Sequence, residues 1–405
     1  MTMINMDILT INNALIFDGE SPELREGSLR IEDGIIVALD GGVEHGRGQA
    51  GTVIDARGRV VMPGLIDAHF HAYAISLTGI KNEVGPLSYS ALMGAQRLGA
   101  ALRRGFTTVR DVAGGDIGLA DAIAEDMYPG PRYLFTGPAL SQTGGHGDPR
   151  VAQDGTCFHA GHMCEVVDGA ENLLMAVRHR FRTGSHAIKL MTSGGVISPV
   201  DPIRVPQYSA GEIQVVTEEA SRRGSYVAAH AYSPEAIQHS VLNGVRSIEH
   251  GNLMDHETAL LMADHGAFLV PTLVTYDAMD RRGQEIGLTP VGAGKNKEVL
   301  EAGKVAVDLA RSAGVSIGFG TDLMGELENE QLHGLRLQTE VIGVFETLRS
   351  ATSVNARLLQ RNDLGRIAEG VRADLVLLDG NPFDDAAVLW DERRARTVIT
   401  GGKVH

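Results

Sequence analysis

The feature that most constrains this chain is the alternation of short apolar runs with helical patterns through its middle. Strand candidates fall at Val60–Ile66, Thr107–Val112, Tyr133–Thr136, Ala187–Met191, Tyr226–Ala229, Ser247–Ile248, Phe268–Thr272 and Ser316–Gly320. Helical patterns lie between most of them: Ser90–Arg104, Asp168–Thr183, Ser209–Arg223, Pro234–Asn243, Asp255–His265 and Lys295–Ala313. Eight β/α steps over about 300 residues is the count for an α/β fold of the (β/α)8 TIM-barrel type, with a doubly wound open sheet as the alternative. The polar residues favour the barrel. Several strand ends carry a chemically potent side chain, and a closed barrel converges those ends on one mouth, whereas an open sheet spreads them apart.

Both ends of the chain read differently from the middle. Ile8–Ile11, Ala14–Phe17, Leu29–Ile31 and Ile35–Val37 are short apolar runs broken by Asp18-Gly19 and Asp33-Gly34. Ala373–Gly380 and Thr397–Gly402 repeat that style. Such runs predict hairpins. The expected organisation is a small β-sandwich module from residues 1–60 plus 361–405, and a barrel over 61–360.

Composition excludes several classes. Hydrophobic residues make up 43% and charged residues 21% of the 405, enough for a packed core. The formal charge of −15 argues against nucleic acid or an anionic membrane as main partner. No apolar run reaches the roughly 18–20 residues of a spanning helix. Met1–Thr10 carries Asp7 and no basic flank, unlike a secretory leader, and two cysteines build no disulfide framework. A cytoplasmic protein is expected.

The chemistry lies at the strand ends. In Pro63-Gly64-Leu65-Ile66-Asp67-Ala68-His69-Phe70-His71, strand alternation points His69 and His71 to one side, as a metal clamp needs. Exposed loop histidines are the bland alternative. Lys189 stands inside the apolar strand Ala187–Met191, where a buried ammonium is costly. Carboxylation by CO2 turns such an amine into an anionic carbamate able to bridge two cations; an ion pair with a barrel carboxylate is the alternative. His230, His250 and Asp322 end three further strand candidates. Together, His69, His71, Lys189, His230, His250 and Asp322 compose a two-metal site, with zinc the expected ion. A water shared by two such ions is activated near neutral pH, and Asp322 is the expected acid–base group.

These residues resemble the amidohydrolase superfamily over nearly the whole chain. Pro63–His71 is similar to its first-strand H-x-H, and Lys189, His230, His250 and Asp322 match its later ligands in order. Leu140–Arg150, Lys189–Gly195, His230–Ala236, Ile248–Asn252 and Gly320–Leu323 resemble the branch related to imidazolonepropionase that contains prolidase-like dipeptidases. The resemblance implies hydrolysis of dipeptides or N-acyl amino acids, Xaa-Pro foremost. It implies His146 and Tyr232 as residues that hold the substrate carboxylate. Arg204 and Tyr276 are candidate pocket residues without an assigned role. Alternatives are an Xaa-Arg/Lys dipeptidase or other amidase, a mononuclear deaminase or imidazolone hydrolase, and a non-catalytic scaffold. A small-molecule substrate and a homo-oligomer are expected. Cys157-Phe158-His159-Ala160-Gly161-His162-Met163-Cys164 has the residue types of a second zinc site but not the spacing of a standard one.

Overall fold

A computed structural model describes residues 8–39, 51–155, 157–198 and 200–405. The leader reading of Met1–Thr10 concerns residues mostly outside that range.

The two ends of the chain share one sheet. Strands β1 (Ile8–Ile16), β2 (Arg25–Glu32), β3 (Ile35–Leu39), β4 (Thr52–Asp55) and β5 (Val60–Pro63) come from the N-terminal end. The middle contributes β6 (Leu65–Phe70), β7 (Phe106–Asp111), β8 (Arg132–Phe135), β9 (Ala139–Ser141), β10 (Cys164–Val166), β11 (Ile188–Met191), β12 (Val227–Ala231), β13 (Ser247–His250), β14 (Phe268–Val270) and β15 (Ser316–Ile317). The C-terminal end adds β16 (Leu375–Leu378), β17 (Arg396–Thr400) and β18 (Lys403–Val404). The terminal sheet runs β18-β17-β16-β5-β1-β2-β3, with β4 paired to β1. Ile36 N reaches Val371 O at 2.9 Å, so the sheet curls back toward the C-terminal segment. It encloses a core of its own, in which Ile11, Ile16, Leu29, Ile31, Val61, Leu375 and Ile399 are buried.

The middle strands are parallel. One sheet runs β10-β9-β11-β12-β13-β14-β15 and another β6-β7-β8. Backbone bonds run between the two sheets: Ala68 N of β6 to Phe319 O beyond β15 at 2.9 Å, and His186 N just before β11 to Phe135 O of β8 at 2.8 Å. The strands are buried on both faces, as parallel strands covered by helices must be. The helices begin where their caps predict. Ser209 and Glu212 form a capping box before Ala210–Arg222, and Asp255 caps His256–Asp264.

The strand predicted over Val60–Ile66 is two. β5 pairs with β1 and β16 in the terminal sheet, and β6 pairs with β7 in the middle. Gly64 is the switch. A Cβ there would stand 2.0 Å from Thr107 Oγ1, so only glycine lets the chain pass this close while crossing between sheets. Among the described residues, no helix is long and apolar enough to cross a membrane.

Candidate metal centre and substrate cavity

His69 leaves β6 with its ring held from behind. Its Nδ1 lies 2.7 Å from Glu249 Oε2, and Glu249 Oε1 pairs with Arg110 Nη2 at 2.7 Å. Nε2 therefore faces Asp322, 3.4 Å from Oδ1. His71 meets the same oxygen through Nε2 at 2.8 Å. His250 has Nδ1 2.8 Å from Thr272 Oγ1, which leaves its Nε2 for the centre. His230 has Nε2 3.0 Å from Gly194 O, and its ring centroid lies 4.6 Å from that of His250.

Adjacent strand residues normally face opposite ways, yet Glu249 and His250 both turn inward. The reason is backbone: His250 is left-handed, with φ 77°. Thr272 and Asp322 are left-handed as well, at φ 45° and 55°. Non-glycine residues in this region cost of order 1 kcal/mol or more each, and they gather where geometry serves function.

The donor set suits divalent cations. His69, His250 and Asp322 offer ligand atoms within 4.8 Å of one another, and they are the only such group of three or more among the described residues. The Nδ1 of His71 is buried without a hydrogen-bond partner. Burial keeps His230 and His250 well below the usual imidazole range, so both are neutral, as metal ligands must be. Burial alone would raise Asp322; the His69 charge and hydrogen bonds from His69 and His71 instead hold its carboxyl well below the usual range. Lys189 is buried, and desolvation lowers its amine to about 8 against the pull of Glu249 and Asp322.

The eight side chains given a role from the sequence border one cavity of about 380 Å³: His69, His71, His146, Lys189, His230, Tyr232, His250 and Asp322. That volume suits a small organic ligand. Tyr276 joins them, its hydroxyl 2.9 Å from that of Tyr232. Arg204 does not; it is exposed and paired with Glu298 at 2.6 Å. Among the described residues, the Cys157–Cys164 segment assembles no metal cluster. Cys157 is exposed, Cys164 is buried, and His162 is spent on Gly85 O at 2.7 Å.

The Amidohydrolase family profile matches residues 60–405. The chain belongs to the amidohydrolase family. This membership makes it a hydrolase acting on amide C–N bonds. The chain is 31% identical to the ochratoxinase of Aspergillus niger, across 98% of this chain and 86% of that protein. Among solved structures, a prolidase complexed with N-methylphosphonate-L-proline is 42% identical with a TM-score of 0.94, covering 98% of this chain and 99% of that one. A Xaa-Pro dipeptidase with bound methionine is 29% identical with a TM-score of 0.89, over 98% and 100%.

Some residues of this amidohydrolase site escaped the sequence reading. Glu249 and Arg110 are wholly buried partners behind His69. Asp111 accepts from Tyr133 Oη at 2.7 Å and from Ala72 N at 2.8 Å, and its other oxygen lies 3.8 Å from His71 Nδ1. A signal was present for Arg110 and Asp111, adjacent charges that close the strand Phe106–Asp111, whereas Glu249 stands among other polar residues in Ser247–His250.

Proposed function

We propose that this amidohydrolase is a binuclear metallo-dipeptidase of the prolidase type, cleaving Xaa-Pro dipeptides or N-acyl-prolines. The observation that carries the reading is the convergence of six candidate donors, from β6, β11, β12, β13 and the segment after β15, on one buried cavity. The likeness to a prolidase bound to an N-phosphonyl proline supports the leaving residue.

In this reading the two parallel sheets are arcs of one closed (β/α)8 barrel. The backbone bonds between the two sheets support closure. The sandwich module comprises residues 1–60 and 361–405, extended to Pro63 by the pairing of β5.

His69, His71, His230, His250, Asp322 and Lys189 as its carbamate would hold two zinc ions. A buried amine lowered toward neutrality retains the free-base fraction that adds to CO2. When bound, the ions would supply an activated water and polarise the scissile carbonyl. Asp322 would take the proton of the attacking water and return it to the leaving nitrogen. Tyr232 would orient the carboxylate of the leaving residue through its hydroxyl, and His146 would face the substrate beside it. The apolar wall, with Met163, Met191, Val196 and Met279, would exclude bulk water.

A library of dipeptides and N-acyl amino acids, assayed with added zinc and bicarbonate, tests the reading. The expected result is preference for C-terminal proline with two metal ions per chain. Preference for C-terminal Arg or Lys overturns the prolidase assignment; one ion per chain overturns the binuclear one.

A further inference from the structure

His146 follows β9 on a Gly-rich loop, and its ring stacks on that of His230 with centroids 4.2 Å apart. Its Nδ1 lies 3.1 Å from Ser198 Oγ, and Ser198 Oγ is hydrogen-bonded to Asp201 Oδ1. A serine hydroxyl has one proton, and a carboxylate can only accept. Ser198 therefore donates to Asp201 and accepts from His146, which places the ring proton on Nδ1. Asp201 is itself pinned: Oδ2 accepts from Gly195 N at 3.0 Å and from Gln207 Nε2 at 3.3 Å. Gln207 closes the circuit by accepting from His146 N at 3.1 Å.

The loop carrying Ser198 and Asp201 is gripped from another element. Lys295, on the helix Pro290–Ala313, donates Nζ to the carbonyls of Gly195, Ser198 and Asp201 at 2.9, 2.8 and 2.8 Å. At Gly195, an added Cβ would stand 1.9 Å from His146 Cε1, so the ring rests directly on the loop backbone. His146 borders the cavity, and of its two ring nitrogens only Nδ1 is hydrogen-bonded to a side chain among the described residues.

We propose that Ser198 and Asp201 are positioning residues that lock His146 in the Nδ1–H tautomer and present its bare Nε2 to a hydrogen-bond donor of the substrate. The part played in turnover rests on the reading of the cavity as a site for dipeptides or N-acyl amino acids. The tautomer does not.

Two measurements on the zinc-loaded full-length chain test this. In a 15N-histidine NMR spectrum, the resonances lost in His146→Gln should report a protonated Nδ1 and a bare Nε2, and Ser198→Ala should replace them with averaged tautomers. A protonated Nε2 with a bare Nδ1, or a spectrum indifferent to Ser198→Ala, overturns the proposal. Should Ser198→Ala not fold, Ser198→Cys, close in size but a poor hydrogen-bond partner, makes the same comparison. The second measurement is a double-mutant cycle on kcat/KM with an Xaa-Pro dipeptide, whose α-ammonium can donate to Nε2. Ser198→Ala should cost about tenfold in the parent chain and less than about twofold in His146→Ala. Ser198→Thr, which keeps the hydroxyl, should recover to within about threefold. Equal losses in both backgrounds overturn the positioning role. If no dipeptide or N-acyl amino acid is turned over while the NMR signature holds, the substrate reading fails and the tautomer lock stands.

Discussion

Glu249 holds His69 from behind: its Oε2 lies 2.7 Å from Nδ1 while its Oε1 pairs with Arg110, all three side chains being buried. A carboxylate in this place fixes both the tautomer and the direction of an imidazole ligand. Replacing it by Gln keeps the shape but removes the charge that Arg110 needs. Glu249→Gln should lower metal affinity about 10–100-fold. Chelator competition followed by metal analysis measures it, and unchanged affinity would refute the orienting role.

Lys189→Ala removes the amine that the carbamate requires. The expected outcome is loss of bound metal and of activity by about a thousandfold or more, with partial rescue by short carboxylic acids. Retention of two ions per chain would remove the carbamate from the account.

Asp322→Asn tests proton transfer. The variant should fold and lose turnover by about 10²–10⁴-fold, the usual range for an acid–base group. Because Asp322 also meets His69 and His71, metal content must be measured alongside. A near-parental kcat would assign the proton to another group.

His186 gives a pH prediction away from the cavity. Burial, aided by Arg110 and Arg361, lowers its imidazole from 6.5 to about 4. Between those values the unfolded chain binds the proton and the folded chain does not, so stability rises with pH there. The contribution is complete above about pH 6.5 and is lost as pH falls toward 4, up to about 3 kcal/mol. His186→Gln should flatten that part of the stability profile in denaturant titrations from pH 7 to 4. An unchanged slope would show that His186 titrates normally in the folded chain.

Gly195→Ala places a methyl group where His146 lies. The ring must move, and kcat/KM should fall about 10–100-fold while circular dichroism stays as in the parent. Parental activity would mean that His146 can shift without consequence.

The residue types at the strand ends were legible because they are local. Alternation places His69 and His71 on one side, and a Lys inside Ile188–Met191 is conspicuous in any arrangement. Caps such as Ser209 and Asp255 are local too, which is why the helix starts fall where the sequence puts them. Other features depend on approach between distant segments. Gly64 separates β5 from β6 only because Thr107 lies against it. Glu249 reads as one more polar residue in its strand until Arg110 and His69, both far away in the chain, close on it.

The sequence alone thus determined which donors exist and that they sit at strand ends, since side-chain chemistry and strand period travel with the residues. Tertiary structure decided which nitrogen of His69 and of His250 faces the centre, because that choice belongs to the partner on the other nitrogen. It also decided that His250 and Asp322 turn inward through left-handed backbone, a conformation that costs energy locally and persists only when surrounding contacts hold it.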